Sequence, residues 1–171
     1  MAQAANTVYL DCFSGISGDM LLGALLDCGL SEQELRSELA KLELEPYEFK
    51  ISREAHQSIS ALSVQVHSTT DQRFRNLTTI TDLLERSGLE TAVTERSLAV
   101  FKRLARAEAK VHGKPIDQIH FHEVGALDTI IDIVGTVAGF HLLGLATVHC
   151  SPLPLGRGFV DCAHGSLPLP A

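Results

Sequence analysis

The sequence lacks several features that would place it in common classes of protein. No apolar run approaches the roughly 18 residues that a membrane helix needs, and residues 1–6 lack the basic start and apolar stretch of a secretory signal. The four cysteines form no C-x-x-C pair, which favours thiols in a reducing cytoplasm over a disulfide framework. The sequence therefore predicts an intracellular, cytoplasmic protein without a membrane span.

Basic clusters are scarce as well. The formal net charge is −7, and lysines and arginines gather only on the outward face of one predicted helix, at residues 90–112. Such a charge gives no electrostatic footprint for nucleic acid or for an anionic membrane, so neither partner is expected. Binding of a small phosphorylated ligand is not excluded, because a few backbone N–H groups and one arginine are enough to hold a phosphate.

The pattern of apolar residues predicts a single α/β domain. A chain of 171 residues with 45% hydrophobic content is able to bury one core. The chain opens with a strand, a Gly/Ser loop and a helix, and further strands and helices follow. We expect a mixed sheet of about four to five short strands flanked by helices. The predicted strands are 7–11, 47–52, 62–66 and 146–150, with 47–52 and 62–66 as a hairpin, and the later helices are 77–84, 90–112 and 125–143.

The domain is expected to span residues 1–150. Residues 151–171 form a Pro/Gly-rich segment, and their last five residues are apolar and uncharged, with nothing in the sequence to pack against. This ending predicts that the segment leads to a further, carboxy-terminal part of a longer protein.

A group of histidines and carboxylates is the strongest candidate for a metal site. His120 and His122 point to the same side of an extended segment, so both imidazoles can reach one cation, and Glu123 follows them. Asp128 and Asp132 lie one turn apart on a predicted helix and share a face. The set predicts a divalent cation, although a mixture of imidazole and carboxylate ligands does not identify the metal.

The surroundings of Asp132 favour the metal over the alternative. Its helix is apolar all round, and a buried carboxylate is costly unless a cation or hydrogen-bond donors satisfy it. The alternative is that His120 and His122 are exposed strand residues and that Asp128 only complements the positive end of its helix.

The loop at residues 14–19 is a candidate phosphate site. It follows a strand and opens a helix, where backbone N–H groups and the helix dipole bind anions. It matches neither G-x-x-x-x-G-K-[ST] nor G-x-G-x-x-G and lacks a lysine, so an ordinary turn is the alternative. Asp11 and Asp19 bracket the loop and suit a divalent cation that bridges them to a phosphate, although Asp11 also suits a turn cap. The predicted ligand-binding residues are Ser14, Gly15, Ser17, Gly18 and Asp19.

Arg157 is a third candidate. It stands between Gly156 and Gly158, where a single guanidinium can reach a phosphate or a carboxylate. An ordinary exposed loop is an equally good interpretation of this pattern.

Three stretches together resemble one family. They are Asp-Cys-Phe-Ser-Gly-Ile-Ser-Gly-Asp-Met at 11–20, His-Phe-His-Glu-Val-Gly at 120–125 with Asp128 and Asp132, and His164-Gly165 with Pro168 and Pro170. Their order and spacing are similar, along nearly the whole chain, to the amino-terminal part of the nickel-insertion proteins of lactate racemase cofactor synthesis.

This resemblance implies a cytoplasmic enzyme of the lyase class. Such a protein uses CTP to insert nickel into pyridinium-3,5-bisthiocarboxylic acid mononucleotide, with nickel–carbon and nickel–sulfur bonds, and the product is the nickel-pincer cofactor of lactate racemase. The racemase apoprotein is then expected to accept this cofactor. Assembly into a homo-oligomer is left open. Manganese is expected to accompany CTP through a carboxy-terminal domain that this sequence does not contain. The histidine and carboxylate group would hold nickel or the substrate-bound metal, and the glycine loop would hold the mononucleotide phosphate.

Three other functions stay open. A nickel chaperone or store would bind the ion but no nucleotide, and would more naturally carry a histidine-rich tract, which this sequence lacks. A metal-dependent phosphohydrolase would cleave a phosphoester with manganese. In a purely structural module, His122→Ala and Asp132→Ala would change stability without changing metal affinity.

Overall fold

The computed structural model has the mixed α/β composition that the sequence predicts, and it opens with the expected strand, loop and helix. It describes residues 6–56, 58–68, 75–121, 126–162 and 165–169, with the backbone alone for His56, His120 and Cys162. No helix in these ranges is long and apolar enough to cross a membrane. The helices are α1 (Gly18–Asp27), α2 (Glu32–Leu39), α3 (Leu77–Arg86), α4 (Thr91–His112) and α5 (Leu127–Leu142), with a short 3-10 helix at Ile116–Gln118.

The strands of the described residues pair two by two rather than in one larger sheet. The first and sixth strands are parallel, although almost the whole chain separates them, and the other three pairs are antiparallel. The pairs are β1 (Asn6–Leu10) with β6 (Leu145–Cys150), β2 (Tyr47–His56) with β3 (Ile59–Ser68), β4 (Arg75–Asn76) with β5 (His120–Phe121), and β7 (Gly158–Cys162) with β8 (Gly165–Leu169).

The central element of the core is α5. Its isoleucines at 130 and 131 and its valine at 134 are fully buried. Gly135 and Gly139 bring α5 close to α1, because a Cβ on Gly135 would lie 3.1 Å from Leu22 Cδ2 and one on Gly139 would lie 3.0 Å from Leu25 Cδ1. Small residues on one helix thus let the leucines of the other pack directly onto its backbone.

The position of α1 is fixed from its other side by the β2–β3 hairpin. A Cβ on Gly23 would lie 2.2 Å from the carbonyl oxygen of Leu62 in β3, so only glycine fits there. The long α4 also packs against α5, and its residues Leu98, Phe101 and Ala105 are buried as predicted. The helix α1 is therefore held between α5 and the hairpin, and its first turn has a defined place.

The segment after residue 150 contains a hairpin that the sequence analysis did not predict. Strands β7 and β8 pair antiparallel, with Phe159 opposite Pro168 and Val160 opposite Leu167. The side chains of both strands are largely exposed. The predicted division at residue 150 stays a prediction.

Candidate metal and phosphate site

The first turn of α1 lies directly against the second turn of α5. A Cβ built on Gly18 would be 2.4 Å from Cβ and 2.5 Å from Oδ2 of Asp132. Real Cβ atoms do not approach other atoms so closely, so any side chain at Gly18 would displace the carboxylate. The contact brings together the predicted phosphate loop and the predicted metal-binding helix, which are far apart in sequence.

Asp19 and Asp128, near the starts of these two helices, lie close enough for their charges to act on Asp132, and we call Asp19, Asp128 and Asp132 the acidic junction. Asp132 is half-buried, and desolvation, followed by the charges of Asp19 and Asp128, raises its pKa to about 6. No described residue donates a hydrogen bond to the Asp132 carboxylate. Because its charged form is disfavoured in the folded chain, a cation at this place would be stabilised by the carboxylates and would stabilise them in turn.

The loop before α1 is held by a turn and by hydrogen bonds to the Asp19 side chain in the first turn of the helix. Gly15 donates its N–H to the carbonyl of Cys12 at 2.9 Å and has a positive φ of 95°, a conformation that glycine adopts without strain. The hydroxyl of Ser17 donates to Oδ1 of Asp19, and the same oxygen accepts the N–H of Met20 at 2.8 Å. The start of α1 therefore already carries its own anion, and a phosphate bound there would need a cation between the two negative groups.

The start of α5 is similarly acidic. Asp128 lies in the first turn, is exposed, and accepts the N–H of its neighbour Thr129 at 2.7 Å. Near it, the side chain of Glu45 is 7% exposed and forms an ion pair with Arg75, and Glu45 and Asp128 line a common small cavity. The carboxylate of Asp128 thus remains accessible to a ligand from solvent.

The predicted histidine ligands lie next to this helix in the chain. His120 is in strand β5, where its backbone pairs with Asn76, and its side chain is outside the described part of the structure. His122 and Glu123 are outside the described residues altogether. Among the side chains that the structure describes, no three from His, Cys, Asp and Glu lie close enough to hold a metal ion. The assignment of metal ligands stays a prediction.

Asp11 and Arg157 lie apart from the acidic junction. Asp11 follows β1, is exposed, and lines a mainly apolar cavity of about 270 Å³ together with Gly15, Ile16 and Met20. Arg157 is exposed on the segment between β6 and β7. Within the described residues, no hydrogen bond or ion pair connects either of them to the acidic junction.

A pair of thiols at the end of the parallel strands was missed by the sequence analysis. The sulfurs of Cys12 and Cys150 are 3.6 Å apart, and Cys12 is buried whereas Cys150 is exposed. The pKa of the Cys12 thiol is raised mainly by burial, then by the hydrogen bond and charge of Cys150, and last by the charge of Asp11. The available signal was that one cysteine follows a predicted strand and the other ends one, but the sequence did not reveal that these strands are parallel neighbours.

Comparison with known proteins identifies the class of this protein. A family model described as nickel insertion protein matches residues 8–171, which is nearly the whole chain. The chain belongs to the nickel insertion protein family. No solved structure matches the chain significantly.

Individual relatives agree with this family. Proteins from two strains of Desulfitobacterium hafniense, DCB-2 and Y51, are each 52% identical over 166 residues and are named pyridinium-3,5-bisthiocarboxylic acid mononucleotide nickel insertion protein. A protein from Thermomicrobium roseum, whose name also specifies nickel insertion, is 50% identical over 167 residues. Each alignment covers 97% of this chain but 41% of the relative. The chain thus spans about two fifths of the length of these relatives.

Proposed function

We propose that this chain provides the part of a nickel insertion protein in which the metal ion meets pyridinium-3,5-bisthiocarboxylic acid mononucleotide. The family supports nickel, and the name of the Desulfitobacterium hafniense relative supports the mononucleotide. The structural observation that carries the proposal is the contact of Gly18 with Asp132. Insertion requires the ion and the acceptor to meet at one place, and this contact joins the candidate phosphate loop to the candidate metal helix.

In this proposal nickel binds to the end of β5 and the start of α5. The imidazoles of His120 and His122 are the nitrogen ligands, and Glu123, Asp128 and Asp132 supply oxygen. The half-buried Asp132, with its raised pKa, suits this role because it lacks a compensating partner among the described residues. Binding a cation there would offset the desolvation of the carboxylate.

The mononucleotide phosphate binds at the loop before α1. Backbone N–H groups of the loop, other than that of Gly15, which donates to the carbonyl of Cys12, bind the phosphate, and Arg157 adds a positive charge from the segment before β7. Asp19 already occupies the helix start, so a phosphate bound there would need a divalent cation beside the carboxylate, with Asp11 as a further candidate ligand.

The remaining parts of the proposal concern a protein of the relatives' full length. There, CTP and manganese act through the carboxy-terminal domain, which follows the domain at 1–150 and the segment at 151–171. The reaction is a cyclometallation of the lyase class and takes place in the cytoplasm, and lactate racemase receives the nickel-pincer product. The resemblance of the three sequence stretches supports these points.

A chimera tests the proposal. Residues 1–171 replace the matching part of the Desulfitobacterium hafniense protein, and nickel-containing mononucleotide is measured by mass spectrometry after incubation with nickel, CTP, manganese and the metal-free mononucleotide. Product at a rate comparable to that of the parent protein supports the proposal. A folded chimera that binds nickel without forming product would indicate a nickel chaperone, and release of phosphate from the mononucleotide would indicate a phosphohydrolase.

A further inference from the structure

The two thiols at the end of the parallel strands are held in place by the backbone around them. Beyond the last residues of β1 and β6, Ser151 donates its N–H to the carbonyl of Leu10 at 2.9 Å, and its hydroxyl accepts the N–H of Cys12 at 2.8 Å. The Cys150 thiol lies 3.1 Å from the carbonyl of Ser151. These bonds fix both cysteines at the carboxyl end of the strand pair, with their sulfurs 3.6 Å apart.

This separation matches the spacing of two sulfur ligands around one metal ion. A metal–sulfur bond of about 2.3 Å and a tetrahedral angle place two such sulfurs about 3.8 Å apart. A disulfide would need them at about 2.05 Å, so the pair would have to move much further to form one. We propose that Cys12 and Cys150 form a two-sulfur binding site for a soft divalent metal ion.

Each thiol loses its proton as its metal–sulfur bond forms, and no oxidant or reductant takes part. Thiolate is the ligand that soft and borderline metal ions prefer, so this site differs in chemistry from the carboxylates of the acidic junction. The ion can enter from the side of Cys150, which is exposed, while Cys12 is 3% exposed and anchors the site from within.

Among the described residues the pair supplies the two sulfur ligands alone, and a site with free ligand positions suits transfer of the ion rather than storage. Within the described part of the chain, no third His, Cys, Asp or Glu completes a set of metal ligands around the pair. The cavity of about 270 Å³ beside Cys12 is large enough to bring an incoming ligand to the remaining positions, and Asp11 lies on its wall. If the proposed function holds, the ion is the nickel cargo on its way to the mononucleotide, and this part of the inference rests on that function.

Absorption spectroscopy tests the site in the 171-residue chain. Cys28→Ser/Cys162→Ser removes the other two cysteines and serves as the parent, with Cys12 and Cys150 as its only thiols. Nickel or cobalt is added to the reduced parent without oxygen, and thiolate-to-metal charge-transfer bands are recorded. We expect bands that saturate at one ion per chain and that are lost after Cys150→Ser or Cys12→Ser.

A second measurement guards against a variant that does not fold. Circular dichroism checks each variant, and alkylation of Cys150, which is exposed, is followed with and without nickel. Nickel should slow the alkylation in the parent and have no effect in Cys12→Ser. A folded, reduced parent without charge-transfer bands, or bands that persist in Cys12→Ser, would overturn the proposal. Because neither readout uses the mononucleotide, a failure here is distinct from a chimera that forms no product.

Discussion

Asp132→Asn is expected to stabilise the folded chain at neutral pH when no divalent cation is present. Burial, with the charges of Asp19 and Asp128, raises the pKa of Asp132 from 3.8 to about 6. A carboxyl group with a raised pKa in the folded state contributes stability below its unfolded pKa and loses it as the pH rises through the folded value. The wild-type chain should therefore lose stability between about pH 4 and pH 6, whereas the asparagine variant, which has no carboxyl group at this position, should not show this loss.

The size of this effect follows from the half-burial of the side chain. The pKa difference corresponds to about 3 kcal/mol of unfolding free energy if the charges were unscreened, at about 1.4 kcal/mol per pKa unit. Solvent reaches Asp132, so screening reduces the expected gain to about 1 kcal/mol at neutral pH. Below about pH 4 the wild-type carboxyl is protonated and the two proteins should have nearly equal stability.

Urea unfolding with a chelator present measures the effect, at about pH 4 and about pH 7.5. Asp82→Asn, an exposed change on α3, is the matched control and should alter the unfolding free energy by less than about 0.5 kcal/mol at either pH. If Asp132→Asn instead destabilises the chain equally at both pH values, hydrogen bonds satisfy the carboxylate in the fold. Asp132 would then not be an uncompensated buried carboxylate.

Three further predictions test the candidate site. Gly18→Ala should weaken nickel affinity, measured by calorimetry, because the added Cβ displaces the Asp132 carboxylate, and an unchanged affinity would contradict the junction. Gly23→Ala, whose Cβ would meet a β3 carbonyl, should instead lower the unfolding free energy in urea by about 1–3 kcal/mol. His120→Ala/His122→Ala should reduce nickel affinity at least ~10-fold by calorimetry, and an unchanged affinity would remove these histidines from the site. Arg157→Ala should weaken mononucleotide binding about tenfold with little change in nickel affinity, and equal binding by both proteins would exclude the phosphate contact.

Local sequence patterns were sufficient for most of the elements. The 22-residue helix α4 has a clear apolar face and ends at Gly113, whose φ of 61° is the left-handed conformation expected after a helix. The β2–β3 hairpin was predicted too, but it is longer than the alternation suggested. Arg53, Glu54 and Ala61 near its tip are exposed, so backbone hydrogen bonds extend the pairing where the side chains carry no pattern.

Local sequence patterns could not predict the contacts that define the site. Each side of the Gly18–Asp132 contact was recognised separately, as a loop glycine and as an unusual helix carboxylate, but the approach depends on how α1 and α5 pack. The Cys12–Cys150 pair depends in the same way on the parallel pairing of β1 with β6. The β7–β8 hairpin was missed because its strands are exposed and contain one proline and two glycines, which weaken the alternating pattern.

We propose the junction of the glycine loop with α5 as the place where the metal ion meets the mononucleotide. The most direct test is the rate of nickel-mononucleotide formation by the Desulfitobacterium hafniense chimera carrying Asp132→Asn, compared with Asp82→Asn. We predict a rate at least ~10-fold lower for Asp132→Asn, since about 1.4 kcal/mol or more of metal binding is lost, and an unchanged rate for the control. Equal rates in the two variants would contradict the claim and place the insertion site elsewhere in the protein.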